Sequence, residues 1–210
     1  MLRGRLIVIE GVDGAGTTTQ ATRLHERLVS KKIPSYQTAQ PSERPTGKMI
    51  REILSGKLIQ NPGFATMSLL FAADRQDQQD ADILPRLYQG EHVICDRYVH
   101  SSVIYQSVSA NDPAKRPWIK EINKHIIIPD ITIYLRIDAN TAETRRAGRG
   151  GDPEIFDEKL FQRRLIDVYD SIGHIFPEHR IVTIDATQTV EQIENDVWKA
   201  VGPIVEPMEK

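Results

Sequence analysis

In GVDGAGTTTQ, Gly11 and Gly16 bracket Val12, Asp13, Gly14 and Ala15, and a run of hydroxyls, Thr17, Thr18 and Thr19, follows. This is nearly the phosphate-cradling pattern G-x-x-x-x-G-K-[ST]. Backbone N–H groups of such a loop converge on an anion, and the dipole of the helix that begins there adds to them. Thr18 stands where a magnesium-binding hydroxyl belongs, but the lysine position holds Thr17. The backbone site does not depend on that lysine, so the loop keeps its anion site and loses one point charge toward the β- and γ-phosphates. A glycine-rich turn without a ligand is the alternative that the loop alone leaves open.

Three further stretches carry chemistry. In ICDRYVHSSVIYQ, Asp96 closes an apolar run and Arg97 follows it. A carboxylate at the end of a strand can hold hydrated Mg²⁺ beside a phosphate loop, although an Asp-Arg pair is equally a surface ion pair. In LLFAADR, Phe71 and Arg75 stand four residues apart and share a helix face, as do Ser102 and Gln106. A phenylalanine so placed is more often core than ligand contact. In RRAGRGGDPEIFD, Arg145, Arg146 and Arg149 lie among glycines. That segment reads either as a solvated basic turn or as a flap over an anionic ligand.

The elements that must hold these residues are legible as alternation. β-rich runs at Leu6–Glu10, Ser35–Ala39, His92–Cys95, Ile131–Ile137 and Arg180–Ile184 are separated by helical periodicity. In Ala21–Lys32, Leu24, Leu28 and Val29 share a face; in Phe64–Leu87, Leu69, Leu70, Ala73, Ile83, Leu84 and Leu87 do so. Alternating strands and helices predict a parallel sheet covered on both faces. The 210 residues suit a single domain, and the net charge of −2 gives no global reason to expect nucleic acid or a membrane surface as partner. The one cysteine, Cys95, excludes an intramolecular disulfide and a cysteine-based zinc site, and its apolar setting predicts a buried structural thiol. No run approaches the ~20 apolar residues of a membrane span. The N-terminal apolar run leads directly into the glycine loop, so it reads as a first strand rather than a signal peptide, and a cytoplasmic location is expected.

Taken in order, GVDGAGTTTQ, LLFAADR and ICDRYVHSSVIYQ resemble the thymidylate kinases, P-loop enzymes that phosphorylate dTMP. The likeness extends to PSERPTGKMIREIL, FDEKLFQRRLIDVY and TIDATQTVEQI, which covers nearly the whole chain; the string DRY-x-x-S-S-x-x-Y-Q is its most specific piece. The resemblance implies an α/β P-loop kinase fold, a five-stranded parallel sheet with helices on both faces and a short arginine-rich lid over residues 145–157. It implies ATP with Mg²⁺ as phosphoryl donor, dTMP as acceptor, and a homodimer packed through long helices that include Phe64–Leu87. By the same resemblance ATP lies on Gly11 to Thr19 with Arg145 along the adenine, and Thr18 and Asp96 serve the metal. Asp13 faces the acceptor's 3′-hydroxyl. Arg75 and Arg97 grip the acceptor phosphate, with Arg51 as a third arginine. Phe71 stacks on thymine, Ser102 and Gln106 read the base edge, and Tyr105 lies below the sugar and disfavours a 2′-hydroxyl. Asp13, Arg97, Arg146 and Arg149 are the residues expected at the transferring phosphoryl group, Arg149 foremost among the flap arginines.

The sequence also departs from the family pattern. The arginine and glutamate usual before the proline of the second loop are Ala39 and Gln40, and the glycines after it are Ser42 and Glu43, with Arg44 expected to substitute for the lost charge. Position 14 is glycine where some members carry arginine, so the flap is expected to supply the positive charge. Two readings stand beside dTMP phosphorylation: a kinase with another base preference, and a nucleotide-binding pseudokinase. Thr17 supports the second, and the retention of Asp13, Thr18, Arg75, Asp96 and Arg97 argues against it.

Overall fold

The computed structural model describes residues 3–58, 62–148 and 159–206. Its centre is β1 (Leu6–Glu10), four aliphatic residues and a glutamate, every side chain buried. A strand buried on both faces reads this way when helices cover both sides of a parallel sheet. β1 pairs in parallel with β3 (His92–Asp96) on one side and β4 (Ile131–Arg136) on the other. β2 (Ser35–Ala39) and β5 (Ile181–Asp185) form the edges, giving the order β2-β3-β1-β4-β5. The five parallel strands bear out the expected architecture. Because the chain runs outward in opposite directions from β1, a crevice opens at the carboxyl ends of the central strands, where ligands of open α/β sheets bind.

The helices are α1 (Thr17–Ser30), α2 (Pro45–Leu54), α3 (Phe64–Gln78), α4 (Leu84–Tyr88), α5 (Val99–Ser109), α6 (Arg116–Glu121), α7 (Ala139–Ala147), α8 (Lys159–Tyr169), α9 (Ile172–Ile175) and α10 (Val190–Val205). α10 begins on a capping box, Thr189 with Gln192, and packs against α1. α1 buries Leu24 and Leu28, whereas Val29 is exposed, against expectation.

The expected helix Phe64–Leu87 is continuous but not uniform: α3 passes through a π-helical stretch, Gln79–Ile83, into α4. Pro85 lacks the N–H that would bond back one turn, and its ring crowds the carbonyl there, so the winding loosens just before it. The expected apolar face is borne out at Leu70, Ile83 and Leu87 and corrected at Leu69 and Ala73. α3 buries Met67, Ser68, Asp74, Arg75 and Gln78, while Leu69 and Ala73 face outward, Leu69 at 52% exposure. The inward side of α3 lines a polar cleft at Asp74, Arg75 and Gln78, while Met67, Leu70 and Phe71 pack on α2 in a small apolar cluster apart from the main core. Cys95 is fully buried and burial raises its pKa, as suits a structural thiol. Among the described residues no helix is long and apolar enough to cross a membrane.

Candidate active site

The glycine loop leaves β1 at the crevice. Gly14 and Gly16 adopt φ of +91° and +93°, the left-handed region that glycine enters without strain. Position 14 has no room for a side chain, since a Cβ there would fall 2.5 Å from the carbonyl oxygen of Ala142 on α7. A side chain as large as arginine is therefore excluded at this position. Gly16 makes no side-chain cap and the first turn of α1 holds no acidic residue, so the positive end of the helix faces the crevice. Thr17 is buried at the start of α1, while Thr18 and Thr19 are exposed. Thr18 Oγ1 donates to Asp96 Oδ2 at 2.5 Å, and Asp96 Oδ1 is buried with no hydrogen-bond partner among the described residues. A hydroxyl and a carboxylate with a spare buried oxygen, beside an anion-binding loop, fit a hard divalent cation.

Beside the loop lies a cleft lined by Asp13, Phe71, Arg75, Arg97, Ser102, Tyr105 and Gln106, with Gln40 and Tyr98 behind them. The structure thus gathers in one place all the expected acceptor residues except Arg51. At the loop end, Arg97 donates to Asp13 Oδ1 at 2.6 Å, to the carbonyl of Gly11 at 2.8 Å and to Tyr105 Oη at 3.1 Å. Tyr105 Oη and Gln162 Nε2 each donate to Asp13 Oδ2 at 3.1 Å. Burial alone would raise the Asp13 pKa, but Arg97 and these two hydrogen bonds hold it below the ordinary aspartate value. Burial likewise opposes the charge on Arg97, and Tyr105 and Asp13 more than offset it. Arg97 takes a left-handed backbone, φ +67°, which turns β3 sharply into α5. Glu10 holds that turn: its carboxylate accepts from the Tyr98 amide at 2.8 Å, from Ser101 Oγ at 2.7 Å and from Tyr169 Oη at 2.9 Å.

At the other end, Arg75 is 1% exposed. Its Nε donates to Gln40 Oε1 at 2.8 Å, its Nη1 to Asn123 Oδ1, and its Nη2 to Ser102 Oγ at 2.6 Å and the Tyr98 carbonyl at 3.3 Å. Gln106, next along the α5 face, is buried, and its Oε1 has no partner among the described residues. Arg51 instead braces the second loop, donating to the carbonyls of Ser42, at 2.7 Å, and Pro41 and pairing with Glu43. It lines the neighbouring groove that holds Thr18 and Asp96. Arg44, expected to replace lost charge, is tied to Asp77 through two hydrogen bonds of 2.5 and 3.0 Å.

The two described flap arginines diverge. Arg146 reaches back to the glycine loop, donating to the Asp13 carbonyl at 2.9 Å. Arg145 turns the other way, to the carbonyls of Ala186, at 2.8 Å, and Gln188, at 3.4 Å, between β5 and α10. Arg149 and the remainder of the expected lid to residue 157 lie outside the described residues. Sequence reasoning missed Glu10, Asn123, Gln162 and Tyr169. Glu10 alone had a local signal, a charged residue closing an otherwise aliphatic strand.

A glycine loop at the carboxyl end of a central parallel strand, with a cleft of paired arginines beside it, defines a P-loop α/β protein built to hold phosphates. A sequence model of thymidylate kinase matches residues 9–197. The chain is 37% identical over 199 residues to the probable thymidylate kinase of Methanocaldococcus jannaschii, covering 94% of this chain and 95% of that protein. It is 34% identical over 208 residues to the thymidylate kinase of Alkalilimnicola ehrlichii, covering 98% and 95%. Against the probable thymidylate kinase of Pyrococcus horikoshii it is 35% identical over 199 residues, covering 93% and 95%. The chain belongs to the thymidylate kinase family.

Proposed function

We propose that the protein transfers the γ-phosphoryl group of ATP to dTMP, giving dTDP and ADP. The observation that carries this reading is the buried Oε1 of Gln106, without a partner among the described residues and set beside Ser102, Arg75 and Phe71. A buried acceptor requires a donor from the ligand, and the N3–H of thymine is one. We assign Arg75 to the base edge rather than to the phosphate. It is walled in beside Ser102, whereas Arg97 alone of the two touches the glycine loop. Phe71 supplies a face for the ring, and Tyr105 fills the floor under the sugar.

In the reaction an oxygen of the acceptor phosphate forms the new bond to Pγ while the bond from Pγ to the β–γ bridging oxygen breaks, and ADP leaves. Arg97 neutralises the acceptor phosphate and holds it in line. Asp13, fixed by Arg97, Tyr105 and Gln162, accepts the 3′-hydroxyl. The loop amides hold the donor phosphates. Thr18 and Asp96 would hold Mg²⁺, which would supply positive charge to the donor phosphates. The remaining charge, which lysine gives in the full loop pattern, is assigned to Arg146 on its contact with the loop, and on sequence grounds to Arg149. Arg146→Ala is expected to lower kcat more than it weakens equilibrium ATP binding; the reverse order would remove it from the transferring phosphoryl group.

The testing experiment is ADP release with ATP, Mg²⁺ and each of dTMP, dUMP, UMP, dCMP and dGMP. dTMP is expected to lead, with dUMP ahead of UMP. No stimulation by any acceptor would overturn the kinase reading, and dGMP or dCMP ahead of dTMP would overturn the base assignment. We also propose a homodimer through the outward face of α3, on the exposure of Leu69 and Ala73. Sedimentation of Leu69→Glu as a monomer beside a dimeric parent would support it, and a monomeric parent would end it.

A further inference from the structure

We infer that His100 is held as an imidazolium between Glu10 and His179, and that it is a positioning residue for the acceptor phosphate, acting through Glu10 on the turn that carries Arg97. Glu10 on β1 and His100 on α5 are both fully buried. The Glu10 carboxylate accepts from the amides of Tyr98 and Ser101, at 2.8 and 3.2 Å, from Ser101 Oγ at 2.7 Å and from Tyr169 Oη at 2.9 Å. All four donors are neutral. A carboxylate taken fully out of water needs an opposite charge as well as hydrogen bonds. Arg97 is committed to Asp13, at 2.6 Å. His100 Nδ1 lies 3.5 Å from Glu10 Oε1 and has no hydrogen-bond partner among the described residues. Burial alone would raise the Glu10 pKa; His100, Ser101 and Arg97 hold it below the ordinary glutamate value, so the carboxylate is charged.

Three gaps join four groups in this line: His100 Nδ1 to Glu10 Oε1 at 3.5 Å, His100 Nε2 to His179 Nδ1 at 2.9 Å, and His179 Nε2 to Glu178 Oε1 at 3.5 Å. Each gap sets two acceptors face to face unless a proton lies in it. Two neutral imidazoles carry two protons and leave one gap empty. One added proton fills all three. It belongs on His100, because Glu10 has no water, whereas Glu178 is half-exposed and has Lys120 at 4.0 Å. His100 then donates from Nδ1 to Glu10 and from Nε2 to His179, and His179 keeps its single proton on Nε2. The charged and titratable groups around the pair are Glu10 on β1, Arg97 at the head of α5, Tyr169 on α8, Lys120 on α6, and Glu178 between α9 and β5. Without the imidazolium, Arg97 must answer Glu10 as well as Asp13, and less of its charge is left for the acceptor phosphate. With it, the Glu10 cap and the Arg97 turn are held by a charge of their own.

The effect on the acceptor rests on the reading of the cleft as a dTMP site; the state of the ring does not. The full chain, labelled with nitrogen-15 at histidine, is read by NMR at neutral pH. Both ring nitrogens of His100 are expected to carry protons, and His179 to carry one. An unprotonated nitrogen on His100 would overturn the inference whatever the substrate. His100→Asn leaves a neutral donor near Glu10 and removes the charge. KM for dTMP is expected to rise about tenfold, and KM for ATP by less than about twofold. Adding Glu10→Gln removes the carboxylate left behind, and the double variant is expected to recover at least about threefold of the lost KM for dTMP. Equal rises in the two KM values, or a double variant no better than His100→Asn alone, would overturn the positioning role. If His100→Asn does not fold by circular dichroism, the ring nitrogens of the parent decide. A parent whose ADP release dTMP does not stimulate would overturn the proposed reaction, and the ring-nitrogen measurement would still decide the imidazolium.

Discussion

Asp13 illustrates how one side chain's behaviour is set by its neighbours. Desolvation pushes its pKa up, and Arg97, Gln162 and Tyr105 together bring it below the ordinary value. The carboxylate is therefore charged wherever the enzyme is folded near neutrality. In Arg97→Ala the largest favourable charge disappears and burial remains. The acidic limb of the kcat/KM profile for dTMP is then expected to move to higher pH than in the parent. At neutral pH the same variant is expected to lose roughly 2.7–4 kcal/mol in kcat/KM, as when a preorganised charge donor is removed. Equilibrium ATP binding, measured separately, is expected to change little, because the cleft and not the donor phosphates loses its cation. An acidic limb that stays in place would show that Asp13 does not control it. Tyr105 gives a companion case: Tyr105→Phe keeps the ring and the dUMP:UMP preference, while Tyr105→Ala is expected to narrow it.

At the scale of the element, the decisive piece is the turn from β3 into α5. Arg97 sits at positive φ, and α5 starts with no side-chain cap of its own. Glu10 substitutes for that cap from a neighbouring strand, accepting from the amides of Tyr98 and Ser101 at 2.8 and 3.2 Å. A carboxylate at a helix N-terminus is favoured by the dipole as well as by the hydrogen bonds. Glu10→Gln is expected to cost about 1–3 kcal/mol in chemical unfolding and to raise KM for dTMP more than KM for ATP, since Arg97 rides on the turn. Equal rises would make Glu10 a purely structural residue. The strands and the glycine loop were legible in the sequence because their signals are local: aliphatic runs, then glycines at fixed spacing. The buried face of α3 was not, because the helix packs polar residues against a cleft that periodicity cannot distinguish from solvent. Nor were Gln40, Asn123 and Gln162, whose partners lie 35, 48 and 149 residues away in the chain. The resemblance supplied the list of cleft residues, but only the packing separates Arg75, beside Ser102, from Arg97 at the glycine loop, and sends Arg51 and Arg44 to brace the second loop.

Across the whole molecule, Glu10 begins a line of buried polar groups that runs from the phosphate loop to the far surface. His100, fully buried on α5, lies 3.5 Å from Glu10 through Nδ1, and its Nε2 is 2.9 Å from His179 Nδ1. Phe176 packs against both imidazoles, and Glu178 and Lys120 stand at the outer end. Across this contact one ring nitrogen donates and the other accepts. A further proton on His179 would be buried, and would face His100. Burial first, and then His100, lower the His179 pKa from 6.5 to about 4. The unfolded chain therefore binds a proton between these values that the folded chain refuses. Stability from this residue is complete above about pH 6.5 and drains away as pH falls toward 4, by up to about 3 kcal/mol. Urea unfolding at pH 7, 6, 5 and 4 is expected to show that loss in the parent. His179→Gln keeps a hydrogen-bonding partner for His100 but cannot take up a proton, and it is expected to flatten the dependence in this window. Its stability at pH 7 is expected to be lower than the parent's, because the imidazole's packing on Phe176 is lost, so the two curves should converge on acidification. Parallel curves would show that the acid sensitivity of the fold arises elsewhere, among the carboxylates paired on the surface.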